Sequence, residues 1–540
     1  MSIPDRTMRW WGWGDPGHHG GLPVPALPLL QAEVGLGTPP PRPTLDEVRL
    51  PDVALAATVR DRLVAAVGAD AVRDDRESRV LHAGGKSYPN LMRLRTGDAS
   101  TAPDAVVSPA TSEQVKAVLE VCAEAGVAVV PFGGGTSVVG GVDALRGTFG
   151  AVISLDLGRL DAVRTVDERS LLAVVEPGLR GPELEAALGD RGLTLGHFPQ
   201  SFEYASVGGM VATRSSGQAS TGYGRIDANV LGLRCVTPTV DVVASTVPGT
   251  AAGPDLRELL MGSEGTLGVL TEMTLRVRRA PDEKRYEGFM FPSFAAGSEA
   301  LRVLAQEGVT PDVARLSDEE ETRVSLTIAD DGGLKSQLGR RYLDLRNVSG
   351  GALAIVGWED TVERVGRRRD ATVDVLKRYG AIGLGRTAGN AWEQGRFHGP
   401  YLRDDLLDRG VMVDTLETAT TWSNLFTLYR AVDAALRERA AVVMCHVSHI
   451  YPGGASLYFT LFARQDAEDP IGQWHRTKVA AGEAIVARGG TITHHHGVGV
   501  DHAPWMGAEI GDGGGRVLRA VKAELDPAGI MNPGKLLPGG

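Results

Sequence analysis

The feature that most constrains the fold is a set of three glycine-rich stretches in the first half of the chain. They occupy residues 131–141 (PFGGGTSVVGG), 197–224 and 261–270 (MGSEGTLGVL). The first follows the apolar residues 127–130, which have the length and composition of a short buried strand. Glycines at such a strand end let backbone N–H groups approach an anion closely, as a pyrophosphate-binding turn requires. One stretch alone fits a plain tight turn equally well, so the interpretation depends on all three.

Length and composition limit the classes of protein to which the chain can belong. A length of 540 residues predicts two or more domains, and 43% hydrophobic with 23% charged residues is typical of a globular enzyme. The net charge of -11 argues against a nucleic-acid partner. The three cysteines form no CxxC pair, and no apolar run approaches the ~20 residues that cross a bilayer. We therefore predict a cytoplasmic protein without a transmembrane segment, and both a peripheral membrane contact and a homodimer are compatible with the sequence.

Local patterns predict helices that alternate with strands, which indicates an α+β or α/β organisation, and we predict the α+β class. Thr111 has the spacing of a helix cap, and an apolar face at intervals of three and four residues follows it up to Gly126, which can end the helix. A strand is predicted at residues 151–157. Residues 471–488 are predicted to form a helix, followed by a short strand that leads into the triple histidine at 494–496.

In order and spacing, the three glycine-rich stretches resemble the FAD-binding domain of the vanillyl-alcohol oxidase and p-cresol methylhydroxylase (PCMH-type) flavoproteins. In that family the first loop cradles the pyrophosphate, and the other two wrap the ribityl chain, the adenine side and the isoalloxazine ring. The resemblance implies FAD as the cofactor. The residues implied to bind it are Pro131, Phe132, Gly133, Gly134, Gly135, Thr136, Ser137, Gln200, Ser201, Phe202, Glu203, Tyr204, Ala205, Ser206, Gly208, Gly209, Thr213, Arg214, Ser215, Ser216, Glu264, Gly265, Thr266, Leu267, Gly268, Val269 and Leu270.

The resemblance also implies how the flavin is held. In many relatives a His of the first loop, or a Cys of the second, is covalently bonded to the flavin. Here Thr136 stands at the first-loop position, and no Cys lies between His197 and Gly224. We therefore predict non-covalent FAD.

Applied to the whole chain, the resemblance implies four parts. Residues 1–50 form an N-terminal extension, and residues 51–283 form a two-subdomain PCMH-type FAD-binding domain. Residues 284–478 form an α/β cap domain that binds the substrate. Residues 479–540 form a C-terminal segment that returns to the FAD domain and completes the active site.

Within this family the motifs are most similar to those of the alkyldihydroxyacetonephosphate synthases, which make ether lipids. The similarity covers RWWGWG at 9–14, TRSSG at 213–217, YLRD at 401–404 and ASLYF at 455–459, and HHHGVG at 494–499 is unchanged. Those enzymes exchange the acyl chain of acyl-dihydroxyacetone phosphate for a fatty alcohol, with no net redox work by the flavin. The resemblance implies the same exchange here, on a small-molecule or lipid substrate with an anionic head group.

The resemblance further implies roles for individual residues. Tyr458 would be the acid/base at the reacting carbon, and Arg403 would hold the anionic group of the substrate, together with Thr415, where the synthases have Ser. The other residues implied to line the pocket are Arg315, His197, His494, His495 and His496. The histidines would move protons near neutral pH. A tyrosine pKa near ~10 must be lowered for Tyr458 to act as a base, which a neighbouring Arg or His could do.

Each of these roles has a plainer alternative. Tyr458 lies in an apolar strand and could be a core residue, and Arg403 precedes two aspartates and could form a surface ion pair. The triple histidine could hold a metal together with His446 and His449. Adjacent histidines on a strand point to opposite faces, however, so at most two of the three could converge. We therefore predict proton transfer and no metal.

Two other functions were weighed against the synthase prediction. The ending IMNPGK at 530–535 is more similar to the D-2-hydroxyacid dehydrogenases of the same superfamily, in which Arg403 would hold a carboxylate and the flavin would accept a hydride. Those enzymes commonly bind a divalent metal through a His-x6-His pair and a Glu before His-Gly. Here Ser456 and His495 stand at two of these positions, which disfavours that alternative. A flavin-binding protein without catalysis is disfavoured by the retained Tyr458, Arg403 and histidines.

Overall fold

The computed structural model describes residues 6–17, 21–39, 41–329, 333, 341–346 and 348–537. In this part of the chain the strands form four sheets, flanked by helices, which confirms the predicted α+β class. α-Helices occupy Ala26–Glu33, Ala57–Val67, Arg76–Leu81, Tyr88–Arg95, Ser112–Ala125, Gly181–Gly189, Val207–Ala212, Ser220–Tyr223, Ile226–Asn229, Leu256–Leu260, Phe294–Glu307, Glu319–Ala329, Val362–Arg378, Arg386–Gly395, Gly399–Leu407, Leu425–Arg437, Pro470–Ala487 and Met506–Leu525. Among the described helices, none is both long enough and apolar enough to cross a bilayer.

The first sheet carries the first glycine-rich stretch at its edge. Its strands are β1 (Val72–Arg73), β2 (Ala105–Val107), β3 (Val127–Phe132) and β4 (Ala151–Asp156), in the order β1-β2-β4-β3. β2, β4 and β3 are parallel, and the crossover from β2 to β3 contains the helix Ser112–Ala125. Before β3, Thr111 caps the helix Ser112–Ala125 by accepting the Gln114 N–H at 3.2 Å, and Gly126 ends it at a φ of 65°. Both predictions for this helix are confirmed.

The second sheet is antiparallel, and the third glycine-rich stretch leads into one of its strands. Its strands are β5 (Val163–Asp167), β6 (Leu172–Val175), β8 (Val230–Val236), β9 (Asp241–Ala244) and β10 (Val269–Arg276), in the order β5-β6-β10-β8-β9. A separate pair joins β7 (Leu193–Thr194) to β11 (Arg278–Arg279).

A seven-stranded antiparallel sheet follows in the chain. Its strands are β12 (Glu283–Phe291), β13 (Val313–Ser317), β14 (Ala352–Asp360), β15 (Ile382–Gly385), β16 (Val411–Thr421), β17 (Val442–Tyr451) and β18 (Gly454–Arg464), in the order β15-β12-β14-β13-β17-β18-β16. Leu457, Phe459 and Leu461 of β18 belong to the largest apolar cluster, together with residues of the helices Phe294–Glu307 and Leu425–Arg437. Alternate residues of the strand, which include Tyr458, therefore project from the other face.

Segments near the two ends of the described chain pack onto the first and second glycine-rich stretches and the strand before them. After the helix Met506–Leu525, the tail runs beside β3, where the Val129 N–H donates to Ile530 O and the Asn532 N–H donates to Val129 O, both at 2.8 Å. Near the N-terminus, Trp13 is buried and lies edge-on to the Tyr204 ring at 5.4 Å.

Candidate active site

Strand register brings three ionisable side chains together on the sheet face that carries Tyr458. In β18, Tyr458 pairs with His446 of β17 on one side and with Glu417 of β16 on the other. β17 and β18 are joined by the two-residue turn Pro452-Gly453, and a β-bulge between Val447 and Ile450 shifts the pairing by one residue, which places His446 rather than Val447 opposite Tyr458. The site is therefore built on adjacent strands rather than on a mobile loop.

Histidine rings surround Tyr458. The His446 ring stacks on it at 4.9 Å, the His495 ring stacks at 6.0 Å, and the His496 ring meets it edge-on at 5.6 Å. Burial raises the pKa of Tyr458 to about 12, and a hydrogen bond to Thr415 only partly offsets this effect. The expectation that the site lowers this pKa is wrong, because desolvation of the phenolate outweighs the nearby cations. Tyr458 is a protonated phenol at neutral pH.

The triple histidine is held by the buried carboxylate of Glu417. This carboxylate accepts the backbone N–H groups of His494, His495 and His496, the last at 2.7 Å, and the Thr493 hydroxyl at 2.7 Å. Burial opposes its ionisation, but the neighbouring histidines, His495 first, hold the pKa of Glu417 well below its usual range. The prediction of a strand before His494 is wrong, because the Ile492 N–H donates to the Glu509 carboxylate at 3.0 Å instead of to a neighbouring strand.

A second buried carboxylate holds the next part of the same loop. Glu264, from the third glycine-rich stretch, accepts the backbone N–H groups of Val498 and Gly499, the latter at 2.7 Å. Burial raises the pKa of Glu264 to about 7. The backbone N–H groups of the HHHGVG segment are thus held by two carboxylates, one from the seven-stranded sheet and one from a predicted flavin-binding loop.

Two histidines of this loop form a hydrogen-bonded cluster with Tyr451 of β17. His494 Nδ1 lies 2.9 Å from His495 Nδ1, and His494 Nε2 lies 2.7 Å from the Tyr451 hydroxyl. Burial lowers the pKa of His494 and of His495 to about 3, so both rings are neutral at pH 7 rather than poised near it. His449, His494 and His495 each place a ring nitrogen within 4.8 Å of the others, and both ring nitrogens of His494 already bond to protein groups.

Arg403 presents a cation that the described residues leave largely unsatisfied. Its Nη1 donates to Lys86 O at 2.7 Å, whereas Nε and Nη2 are buried and have no hydrogen-bond partner. The adjacent Asp404 pairs instead with Arg95 at 3.2 Å and accepts the Trp13 N–H at 2.6 Å. The alternative of a surface ion pair therefore does not describe Arg403. Tyr458 lies close enough to influence the Arg403 pKa, although burial, which lowers it, is the largest effect.

Arg315, by contrast, already has an anionic partner. Its Nη2 lies 2.5 Å from Glu321 Oε1 and 3.1 Å from His446 Nδ1, and Glu321 Oε2 lies 3.0 Å from the same His446 atom. Arg315 thus reaches Tyr458 only through the stacked His446 ring. A paired guanidinium is a weaker candidate for binding a substrate anion than Arg403.

His197 and Ser216 bring unsatisfied polar atoms to the second glycine-rich stretch. His197 Nε2 bonds to the Ser215 hydroxyl at 2.7 Å, while His197 Nδ1 and the Ser216 hydroxyl are buried without a partner. Burial lowers the pKa of His197 to about 3. Buried polar atoms without partners are rare in folded proteins, so a polar ligand in this stretch fits them.

The glycine-rich stretches pack against one another through atoms that tolerate no side chain. A Cβ at Gly133 would overlap the Ser206 hydroxyl, and a Cβ at Gly134 would overlap Tyr204 O. The tail joins the first and third stretches, because Asn532 Nδ2 donates to Gly141 O at 3.1 Å and to Glu264 O at 2.6 Å. The three stretches therefore form one continuous surface, as a single extended cofactor requires.

Several of the predicted cofactor residues direct their side chains elsewhere. Phe202, Leu267 and Leu270 are buried in apolar clusters, and Tyr204 packs on Trp13. Arg214 forms ion pairs with residues of neighbouring helices and loops. Any contact of these positions with a cofactor would come from their backbone atoms.

Two others contact the helical region at residues 386–407. Gln200 Nε2 donates to Arg396 O at 2.7 Å, and Glu203 accepts the Tyr401 hydroxyl at 3.2 Å. Local roles in turns, caps and strand ends are taken by Pro131, Phe132, Gly135, Thr136, Ser137, Ser201, Ala205, Gly208, Gly209, Thr213, Gly265, Thr266, Gly268 and Val269.

Sequence reasoning missed three polar residues of this site. Glu417 could have been found, because an acidic residue within a strand made mostly of apolar and β-branched residues needs a buried partner. Glu321 stands among other acids at a helix start, and Tyr451 precedes an ordinary hairpin turn, so neither differed from a surface residue.

Comparison with known proteins identifies relatives of the whole chain. Residues 103–245 match the FAD binding domain family, and residues 280–536 match the C-terminal domain of the FAD linked oxidases. Alkyldihydroxyacetonephosphate synthase of Trypanosoma brucei brucei is 35% identical over 98% of this chain and 92% of its own length. A solved structure of an alkyldihydroxyacetonephosphate synthase matches with 30% identity, a TM-score of 0.84 and coverage of 98% and 99% of the two chains. Substrate-bound p-cresol methylhydroxylase shares the fold alone, at 16% identity and a TM-score of 0.65 over 88% and 96% of the chains.

These matches confirm FAD as the cofactor. We expect the purified protein to release its FAD completely on acid precipitation, because Thr136 offers no ring nitrogen for a covalent link. We expect no covalent link through sulfur either, because the cysteines are buried in the apolar cores, at Cys122, Cys235 and Cys445. The measurement is the flavin absorbance of the supernatant and of the washed pellet. Flavin that stays with the precipitated polypeptide would contradict the prediction.

Proposed function

Because this chain belongs to the alkyldihydroxyacetonephosphate synthase family of FAD-linked oxidases, we propose that it exchanges the acyl chain of acyl-dihydroxyacetone phosphate for a fatty alcohol. The product would be an ether, and the reaction would serve ether lipid synthesis. The observation that carries the proposal is the state of Arg403. Its buried Nε and Nη2 atoms have no hydrogen-bond partner, and its guanidinium lies close enough to the Tyr458 phenol for the two groups to interact electrostatically. This pairing supplies an unsatisfied cation for a phosphate beside a proton donor.

The residues of the site would divide the chemistry as follows. FAD, when bound, supplies an electrophilic ring that can hold the three-carbon fragment without net oxidation. Arg403 would bind two phosphate oxygens and orient the substrate, because a guanidinium matches them with two parallel N–H groups. Tyr458 would donate a proton to, or return one from, the reacting carbon, with Thr415 as its hydrogen-bond partner. His495 and His496, neutral and packed against the Tyr458 ring, would accept protons in the same pocket.

The dehydrogenase alternative has weaker support from the site. Arg403 could equally hold a carboxylate, and the tail ending in IMNPGK lies on the flavin loops. However, Ser456, at a metal-ligand position of those enzymes, is buried, bonds to the Ser448 hydroxyl at 2.9 Å and accepts the His449 N–H at 3.0 Å. The Ser456 hydroxyl oxygen is therefore already used in hydrogen bonds within the protein, which disfavours a role as a metal ligand.

The finer features of the chain are part of the same proposal. We place the FAD-binding domain at residues 51–283, the cap at 284–478 and the completing segment at 479–540, after an extension at 1–50. The protein would be cytoplasmic, with a peripheral membrane contact that delivers the long-chain substrates, and would form a homodimer. Vesicle sedimentation and light scattering of the purified chain test the last two points.

The proposed reaction predicts a distinct pattern of substrate use. With acyl-dihydroxyacetone phosphate and a long-chain alcohol, we expect an ether product and no lasting loss of the oxidised flavin spectrum. With D-lactate or 2-hydroxyglutarate under anaerobic conditions, we expect the flavin to stay oxidised. The measurement combines mass spectrometry of the lipid product with flavin absorbance. Bleaching by a D-2-hydroxy acid without ether formation would establish the dehydrogenase, and turnover of neither would indicate a flavin-binding protein.

A further inference from the structure

The motif RWWGWG at residues 9–14 folds into a closed turn, here called the N-terminal turn. The Arg9 N–H donates to Gly14 O at 2.8 Å, and Arg9 Nε donates to Trp13 O at 2.8 Å. Trp13 is buried, and its ring lies beside Tyr204 of the second glycine-rich stretch. The turn is thus a fixed part of the folded protein, and the proposed chemistry gives it no role.

Two contacts connect the N-terminal turn to the surroundings of Arg403. The Trp13 N–H donates to Asp404 Oδ2 at 2.6 Å. Lys86 Nζ donates to Arg9 O at 2.8 Å, and the backbone oxygen of Lys86 accepts Arg403 Nη1 at 2.7 Å. The turn therefore holds both the carboxylate that follows Arg403 in its helix and the residue whose carbonyl orients the guanidinium.

We propose that the N-terminal turn positions Asp404 away from Arg403, so that the guanidinium stays free for the anionic group of the substrate. This inference rests on the anion-binding role of Arg403 in the proposed function. Arg403 Nε and Nη2 are buried, and no described residue bonds to them. A neighbouring carboxylate competes directly with the substrate, because a guanidinium pairs with a carboxylate as well as with a phosphate. An ion pair between these two residues would have to break before the substrate could bind.

The charges around Asp404 agree with this role. Burial lowers the pKa of Arg403, and the buried Asp404 carboxylate offsets this effect more than any other charge does, so the two groups already interact. On its other side, Asp404 Oδ1 lies 3.2 Å from Arg95 Nη2. The Trp11 ring lies 4.7 Å from Arg9 Cζ and 5.6 Å from Arg95 Cζ. The turn therefore also packs on the cation that attracts the carboxylate to this side.

Gly12 makes the arrangement testable, because its backbone lies directly against the Asp404 carboxylate. A Cβ at residue 12 would overlap Asp404 Oδ2. Since the overlapped atom is the end of a side chain, Gly12→Ala should displace the carboxylate and leave the backbone in place. A buried carboxylate that loses the Trp13 N–H needs another partner, and Arg403 offers two free donors.

The kinetic test is Gly12→Ala. We expect KM for acyl-dihydroxyacetone phosphate to rise about tenfold or more and kcat to stay within about twofold, because the displaced carboxylate competes with the phosphate for Arg403. Removal of the carboxylate should end the competition, so Gly12→Ala/Asp404→Ser should have the KM of Asp404→Ser alone. Gly472→Ala is the matched control, since its Cβ would overlap the exposed carboxylate of Asp469 at the start of another helix, and it should keep the wild-type KM.

A turn that only supports the fold gives a different result. It predicts a lower thermal midpoint for Gly12→Ala with KM unchanged, and that outcome would overturn the positioning role, as would a raised KM that persists in the double variant. If Gly12→Ala does not fold, Asp404→Asn provides the test, because its amide oxygen can accept the Trp13 N–H but carries no charge to pair with Arg403. This variant should bind the substrate at least as tightly as the wild type, and a raised KM would overturn the proposal.

A second measurement needs no turnover. Calorimetric titration of the holoenzyme with inorganic phosphate should show weaker binding in Gly12→Ala than in the wild type, and equal binding in Asp404→Ser and the double variant. Arg403→Ala measures the binding that other sites contribute. If phosphate binding follows this pattern but no ether is made, the positioning role stands and the proposed function fails. If ether is made while Gly12→Ala changes neither KM nor phosphate binding, the proposed function stands and the positioning role fails.

Discussion

Arg403→Ala is expected to abolish most substrate binding while leaving the fold intact or more stable. The loss of a desolvated charge contact is on the order of 2–5 kcal/mol, which corresponds to a rise of about 30-fold to several thousand-fold in KM or fall in kcat/KM. Two nitrogens of this guanidinium are buried without a partner, so in the substrate-free protein the residue is a cost to stability rather than a gain. The thermal midpoint should therefore stay unchanged or rise.

Opposite changes in activity and stability distinguish a binding residue from a structural one. Arg403→Lys should recover only part of the loss, because a point charge cannot match two oxygens as a guanidinium does. Arg369→Ala is the control: its Nε lies 2.8 Å from Glu287 Oε1, away from Tyr458, and its removal should leave kcat/KM unchanged. Steady-state kinetics and thermal melts of the three variants test the prediction. Arg403→Ala with wild-type kinetics and a lower melting temperature would assign Arg403 to the fold.

Tyr458→Phe is expected to lower turnover by about 10²–10⁴-fold, the range of a general acid–base contribution. The substitution retains the ring that stacks between His446 and His495, so FAD binding and thermal stability should change little. Because burial raises the Tyr458 pKa to about 12, its proton is present throughout the neutral range. The wild-type rate should therefore show no dependence on phenol ionisation near neutral pH.

The matched control for this prediction lies on the opposite side of the sheet. The Tyr429 ring stacks on Phe459, the next residue of β18, and its hydroxyl bonds to Asp318 at 3.0 Å. Tyr429→Phe should retain the wild-type rate, which is measured as ether formation together with bound flavin. Full activity of Tyr458→Phe would make Tyr458 a packing residue and leave the proton to the histidines at 494–496.

Much of the fold and of the cofactor chemistry could be predicted from local sequence. The helix after Thr111, the strand that enters the first glycine-rich stretch and the α+β class follow from contacts between residues close in the chain. FAD follows from the glycine-rich loops and their resemblance to known flavoproteins, and the comparisons confirm it. The assignments of Tyr458, Arg403 and the histidines to catalysis stay predictions that the variants above test.

The ionisation states of the site could not be predicted in this way. The residue types suggested a tyrosine of lowered pKa and histidines that titrate near neutral pH. The structure reverses both expectations, because these groups are enclosed together and desolvation favours their neutral forms. The burial of a side chain depends on how the domains pack, and it cannot be predicted from the spacing of residues along the chain.

The sequence by itself determined the cofactor, the family and the set of chemical groups, because loop and cap motifs act through neighbours along the chain. Only the tertiary structure determined which partner each buried charged side chain contacts. Arg403 is left without the adjacent aspartates because Asp404 turns to Arg95 and Trp13, and Glu417 reaches the backbone of His494 across 77 residues. Partners of buried charges are selected by strand register and domain packing, since each charge that leaves water must find its counterpart in the folded molecule.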